Sequence, residues 1–229
     1  MPRELDLDER LKLAASFVRP GAVFADVGCD HGRLSVYLMQ QCSASRGYAC
    51  DIRPQPLDKA RQLLARKGLS DKVEAVLTDG LVGMEGKGIS DVIVAGIGGE
   101  VLAHIVEEAA FLKDPSVRII LQPQSKEHIL RRSLYRLGYH IEEEHCVWSG
   151  RFLYTVMVIS YCGEEKEIDN FFAYCGLLPL ENNELKREKL RRTAATLQEI
   201  AANMKNSPDK QEEYIHLEEL SRRILAVSQ

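Results

Sequence analysis

From residue 23 to residue 137 short apolar runs alternate with amphipathic ones, and this alternation restricts the fold more than any other feature. Runs 23–27, 48–51, 73–77, 91–95 and 117–121 read as strands. Between them, 34–41, 56–67, 101–112 and 125–137 read as helices. Strands separated by helices pair in parallel through right-handed crossovers, which places helices on both faces of one sheet. Proline near the start of 56–67 and Gly68 just past its end are the usual helix punctuation. Ser125 is the expected N-cap of the last helix and Gly138 its stop. An amphipathic helix over 7–18 precedes the alternation. Leu7, Leu11, Ala14, Ala15 and Val18 share one face, and Arg19, Pro20 and Gly21 end it.

The pattern changes after Gly138. Residues 139–148 and 152–161 are strand-like and joined by Ser149, Gly150 and Arg151, the spacing of an antiparallel hairpin. A mixed connector with Phe171 and Phe172 follows. Past Pro179, Leu190, Leu197 and Met204 recur every seven positions with Ala194 and Ala201 between them. Asn206, Ser207 and Pro208 make a turn, and Tyr214, Leu217, Leu220 and Ile224 resume the helical spacing. This predicts an antiparallel helical hairpin of coiled-coil character. The expected division is an α/β unit over 1–162 and a connector plus helical hairpin over 163–229. A chain of 229 residues with 45% hydrophobic content suits one ordinary domain with an appendage.

Composition narrows the classes of function. A net charge of -4 argues against a dedicated non-specific nucleic-acid binder, so any RNA would need a local basic patch. The charged opening run has no apolar core of a secretory leader, and no run reaches membrane-spanning length. The six cysteines form no C-x-x-C pair and none sits near a histidine at zinc-finger spacing. Free thiols in a reducing, cytoplasmic compartment are expected. The six histidines are scattered without H-E-x-x-H spacing, so no metal is expected.

The chemistry concentrates in Asp26-Val-Gly28-Cys29-Asp30-His31-Gly32, which follows the first strand and opens the first crossover helix. Glycine there permits a sharp turn and close approach of backbone to a ligand. A dinucleotide loop would place glycine at the position of Asp30 to receive a pyrophosphate. A carboxylate there repels a diphosphate and tolerates a cationic sulfonium. The spacing D-x-G-x-x-x-G resembles the methyltransferase motif D/E-x-G-x-G-x-G with its middle glycine replaced. Asp26 is a candidate for a methionine ammonium. Asp51, followed by Ile52, is a candidate for ribose hydroxyls, and Asp79 in Thr78-Asp79-Gly80 for an adenine amino group. Three carboxylates at three consecutive strand ends would all line the crevice at the carboxyl edge. The fourth strand ends in Ala95-Gly96-Ile97-Gly98-Gly99, where glycines let a flat ligand lie against backbone. Leu121-Gln122-Pro123 is a further expected wall.

DVGCDHGRLSVYL, AGIGG and ILQP together resemble the bacterial tRNA adenine-N1 methyltransferases that act on adenine-22, the TrmK family. The resemblance runs through nearly the whole chain. The Asp-His version of the first loop is its most specific element. Ile97 stands where the family often shows methionine, which leaves the flanking glycines in place. The resemblance implies a Rossmann-like class I methyltransferase using S-adenosyl-L-methionine to methylate N1 of a tRNA adenine. Asp30 and His31 are then the catalytic candidates, with Asp26, Gly28, Cys29, Gly32, Asp51, Ile52, Thr78, Asp79, Gly80, Gly96, Ile97 and Gly98 as the cofactor site. For Asp30 the competing assignment is a helix N-cap, and for His31 a structural histidine.

RNA contacts are expected from Arg131, Arg132 and Arg136 after the fifth strand, and from Lys186, Arg187, Lys189, Arg191 and Arg192 in the first tail helix. Solvated helix faces with intrahelical ion pairs are the alternative, and the tail could instead bind protein. A monomer that binds tRNA, with no DNA and no membrane partner, is the expected working form. The remaining readings are a small-molecule or protein acceptor, or a non-catalytic module that binds S-adenosylmethionine. A nicotinamide-dependent oxidoreductase is disfavoured by Asp30 and by the terminal strand hairpin.

Overall fold

The computed structural model describes residues 6–229; residues 1–5, the start of the charged opening run, lie outside them. Eight α-helices and seven strands appear in the described residues. The strands are β1 Val23–Val27, β2 Arg46–Asp51, β3 Val73–Leu77, β4 Asp91–Ile97, β5 Arg118–Pro123, β6 Tyr139–Ser149 and β7 Phe152–Tyr161. The helices are α1 Glu9–Ser16, α2 Arg33–Gln41, α3 Pro54–Arg66, α4 Gly99–Glu108, α5 Glu127–Arg136, α6 Asn170–Cys175, α7 Glu184–Met204 and α8 Gln211–Ala226.

All seven strands join one sheet in the order β3-β2-β1-β4-β5-β7-β6. The first five are parallel, and β7 runs antiparallel between β5 and β6. The chain leaves β1 toward β3 and returns to pair β4 beside β1. That reversal opens a crevice at the carboxyl ends of β1 and β4, where ligands of open α/β sheets bind. Each face of the sheet carries its own apolar core. Val92, Val94, Leu102 and Leu130 belong to one, and Phe24, Val36, Leu57 and Ile93 to the other.

Capping follows sequence chemistry at several helices. Asp8 accepts from the Leu11 N–H at 3.0 Å, Asp169 from Phe172 at 2.7 Å, and Asn183 from Leu185 at 2.9 Å. One expected cap is corrected, and the competing cap assignment for Asp30 is not met. Ser125 does not cap α5, whose N-cap position is Lys126 in the left-handed region at φ 58°. Asp30 does not cap α2, whose N-cap position is Gly32 at φ 69°.

A bulge in β6 between Ile141 and Glu143 shifts the strand's parity. Tyr139 and Ile141 face the core, and the shift turns Glu144 inward as well, leaving it 1% exposed. There it meets Arg131 of α5, which is 0% exposed, with Nε 2.9 Å and Nη2 2.8 Å from Oε1. Arg131 also donates to the carbonyls of Ala173 and Tyr174 at 2.8 and 3.2 Å, and Glu144 Oε2 accepts from the Leu177 N–H at 2.5 Å. Glu127 joins the cluster and pairs with Lys189 of α7 at 2.6 Å. Beyond this cluster α7 and α8 close a third core, with Leu190, Ala194 and Leu197 against Leu220 and Ile224.

Gly176 ends α6 at φ 53°, ψ -136°. A Cβ there would stand 2.0 Å from Glu144 Oε2 and 2.6 Å from Arg131 Nε. Gly176→Ala combines backbone strain with disruption of a buried ion pair, so it should remove roughly 2–4 kcal/mol of stability. Denaturant unfolding checks this; an unchanged midpoint would mean the connector is not tied to the cluster.

Candidate functional site

A cavity of about 550 Å³ opens at the carboxyl ends of β1–β4. Its walls carry Asp26, Asp51 and Asp79 from three consecutive strand ends, and Asp30 and His31 from the β1–α2 loop. Gly28, Cys29, Ile52, Thr78, Gly80, Gly96 and Ile97 line it too. Gly32 and Gly98 are not among the lining residues. Gly32 lets α2 crowd α3, because a Cβ there would lie 2.9 Å from that of Ala60. Gly98 occupies the N-cap position of α4.

The loop is held from below. The N–H groups of Gly28 and Cys29 both donate to the Cys50 carbonyl at 2.9 Å. Gly28 sits at φ 73°, where a Cβ would also press on Ile97 at 3.2 Å. Asp30 is left-handed at φ 50°, a conformation aspartate tolerates better than most residues. Its N–H donates to Asp51 Oδ2 at 3.1 Å, and the Arg53 N–H donates to Oδ1 at 2.9 Å. Asp51 therefore fixes the loop while each oxygen keeps a further lone pair for a ligand hydroxyl.

The carboxylates differ in environment. Asp26 is 3% exposed and accepts from Ser35 Oγ at 2.6 Å. Burial lifts its carboxyl from 3.8 to about 6; the Ser35 hydrogen bonds oppose the shift and the Asp51 charge adds to it. Among the described residues no cation contributes to its surroundings. Asp30 and Asp79 are exposed to solvent. His31 Nδ1 lies 3.7 Å from Asp30 Oδ2, and Lys59 Nζ lies 3.2 Å from His31 Nε2. An ammonium only donates, so Nε2 accepts and the ring proton is assigned to Nδ1, on the Asp30 side. Cys29 is no nucleophile, because burial and the Asp26 and Asp51 charges push its thiol well above the ordinary range. Among the described residues no three His, Cys, Asp or Glu side chains converge as metal ligands. No described helix is long and apolar enough to cross a membrane.

Sequence reasoning missed the contribution of α1. Leu7, Asp8, Arg10 and Leu11 close one side of the cavity. Arg10 Nη1 donates at 2.7 Å to Gln122 Oε1, which also accepts from the Gly96 N–H at 3.0 Å. Arg10 falls three residues after Leu7 and four before Ala14, so a cation on the apolar stripe was the available signal.

The basic residues expected to grip RNA are largely committed elsewhere. Arg131 is buried in the Glu144 cluster, and Lys186 is 1% exposed with its ammonium 2.7 Å from Glu181. Both expectations are corrected, since neither group reaches solvent. Arg132 contacts the Ile168 carbonyl and Asn170, and Arg136 forks onto Glu167 at 2.7 and 2.9 Å. The connector folds back over α5 and takes the whole trio. On α7, Arg187 pairs with Glu184, and Arg191 with Glu184 and Glu188. Arg192 is exposed, with Nε bonded to Glu188 at 2.7 Å and its guanidinium 4.7 Å from the Trp148 ring centre.

The Asp26 carboxyl titrates near 3.8 when unfolded and near 6 when folded. Its stabilising contribution is therefore complete below pH 3.8 and is lost as pH rises through 6. Asp26→Asn should gain stability relative to the parent as pH rises from about 4 to about 6 and keep the gain up to about pH 7.5, by up to about 3 kcal/mol. Thermal melts across that range test this; parallel curves would remove Asp26 as an uncompensated charge.

A methyltransferase domain model matches residues 7–157. The tRNA (adenine(22)-N(1))-methyltransferase of Bacillus subtilis (strain 168) is 29% identical over 227 residues, covering 96% of this chain and 95% of that protein. Among solved structures, the B. subtilis M1A22 tRNA methyltransferase TrmK superposes with TM-score 0.83 at 27% identity, covering 98% of each chain. A Streptococcus pneumoniae protein solved in complex with S-adenosyl-L-methionine gives TM-score 0.82 at 25% identity, covering 96% of this chain and 100% of that one. With most of its sheet and its whole candidate site inside the matched residues, the chain belongs to the methyltransferase domain family.

Proposed function

We propose that this chain is an S-adenosylmethionine-dependent methyltransferase acting on N1 of an adenine in tRNA, at position 22. The observation that carries the reading is the cavity with Asp26, Asp51 and Asp79 on its strand ends and the Asp30–His31 pair at its mouth. Full-length likeness to a B. subtilis enzyme of that name supports the substrate.

The residues fit the cofactor. Asp26, buried without a cation, suits the ammonium of a methionine moiety. Asp51 presents acceptors for ribose hydroxyls, Asp79 an acceptor for an adenine amino group, and Gly28 and Gly96 leave room beside them. When bound, S-adenosylmethionine supplies an electrophilic methyl group on a sulfonium. The chain's task is then alignment, because adenine N1 carries an in-plane lone pair and needs no prior activation. Since N1 faces the Watson–Crick partner, the base must enter the pocket unpaired. Asp30 stands exposed at the mouth, where its carboxylate can stabilise the positive charge that N1-methylation places on the ring, or accept an N6 proton. His31, with its Nδ1 proton on the Asp30 side, orients that carboxylate.

In this reading residues 1–162 form the catalytic unit and 163–229 a connector and RNA-positioning hairpin. The α7–α8 apolar seam is already buried within one chain, which favours a monomer. Cytoplasmic tRNA is the substrate, with no membrane or DNA partner involved.

Transfer of labelled methyl groups to unmodified bulk tRNA, followed by nucleoside analysis, should give 1-methyladenosine. Absence of label with cofactor binding intact would redirect the search to small-molecule or protein acceptors. Asp30→Asn, which keeps the left-handed backbone, should lower kcat by about a hundredfold or more with cofactor affinity within about tenfold. Full turnover in that variant would remove Asp30 from the chemistry.

A further inference from the structure

A second cavity, of about 240 Å³, lies between the tip of the β6–β7 hairpin and α7. Gln124, Phe152, Tyr154, Arg192, Thr193 and Thr196 contribute to its walls. Phe152 and Tyr154, two apart on β7, share one face of the strand with ring centres 6.0 Å apart. Phe152 is 51% exposed, an unusual site for so large an apolar ring on a strand. Cations stand against this aromatic surface. The Arg151 guanidinium is 5.0 Å from the Phe152 ring centre, that of Arg192 4.7 Å from Trp148, and that of Arg10 5.8 Å from Tyr154. The one carboxylate in the wall, Glu127, is neutralised by Lys189 and Arg131.

An exposed Phe152 ring beside the half-buried rings of Tyr154 and Trp148, interleaved with arginines, is the chemistry of a platform for an unstacked base and its phosphate. Arg10 joins this cleft to the main cavity, because it touches Tyr154 on one side and Gln122 beneath the main cavity on the other. At less than half the volume of the main cavity, the cleft takes one base and no second cofactor. We propose that it is a subsite for one unpaired nucleotide adjoining the target adenine. The base lies against Phe152 and Tyr154, and its phosphate turns toward Arg192 and Arg151. This inference rests on tRNA being the substrate. Arg192 bonds Glu188 through Nε at 2.7 Å, and its guanidinium still lies over the Trp148 ring at the hairpin tip.

The test compares the parent with Phe152→Ala and with the Phe152→Ala/Tyr154→Ala double variant. Direct binding would be measured to unmodified tRNA and to transcripts made abasic at single positions flanking the target. The variants should bind tRNA about tenfold more weakly, with S-adenosylmethionine affinity by calorimetry within twofold, since base stacking of this kind is lost on truncation to alanine. One abasic position should weaken the parent by a similar factor and leave the double variant no weaker. Additive losses, or unchanged tRNA affinity in Phe152→Ala, whose exposed side chain is not needed for folding, would overturn the subsite alone. A parent that binds no tRNA and methylates none would overturn both the subsite and the substrate reading.

Discussion

Arg131 holds the catalytic sheet and the tail together. A guanidinium with no solvent exposure is stable only when its donors are met, and here the partners come from β6, the connector and α5 itself. Buried ion pairs contribute little net stability over apolar contacts of the same shape, but breaking one is strongly destabilising. The cluster therefore acts as a register device. It accepts one placement of the connector, through the Ala173 and Tyr174 carbonyls and the Leu177 N–H, and one placement of α7, through Lys189 on Glu127. The helical hairpin consequently stands in a fixed relation to the hairpin tip of the sheet, which is where the aromatic–basic cleft forms.

A similar economy organises the cavity. Asp51 fixes the loop that carries Asp30 and still offers lone pairs to a ligand. Asp26 is the opposite case, buried, bonded to Ser35 and lacking a cation. Asp30 and His31 at the mouth stay polar and open to solvent. In the proposed function, three environments for similar carboxyl groups separate cofactor binding from acceptor chemistry.

Much of this was legible in the residues themselves. Strands β1, β3 and β7 fall where apolar runs lie between turn residues, and the carboxylates at successive strand ends converge because parallel strands share one carboxyl edge. Gly98 takes the N-cap position of α4, a place in the fold that the glycine run alone does not distinguish from the cavity wall. Arg131 shows the deeper limit. A basic residue on an amphipathic helix looks the same whether it meets solvent or a buried acid. The acid that claims it, Glu144, turns inward only because of a bulge that the alternation of β6 does not announce. Arg10 was hidden for a related reason, since its partner Gln122 is 112 residues away.

The order in which the chain leaves the ribosome gives the Arg131 cluster a further meaning. All seven strands are synthesised before residue 162, so the sheet can assemble early. Arg131, Glu144 and Glu127 are then present with part of their polar complement missing, because Ala173, Tyr174, Leu177 and Lys189 have yet to emerge. Until they arrive, burial of those charges is unfavourable and that flank of the sheet must stay hydrated. Final closure waits on the last quarter of the polypeptide, and until then a wet seam runs along α5 and β6.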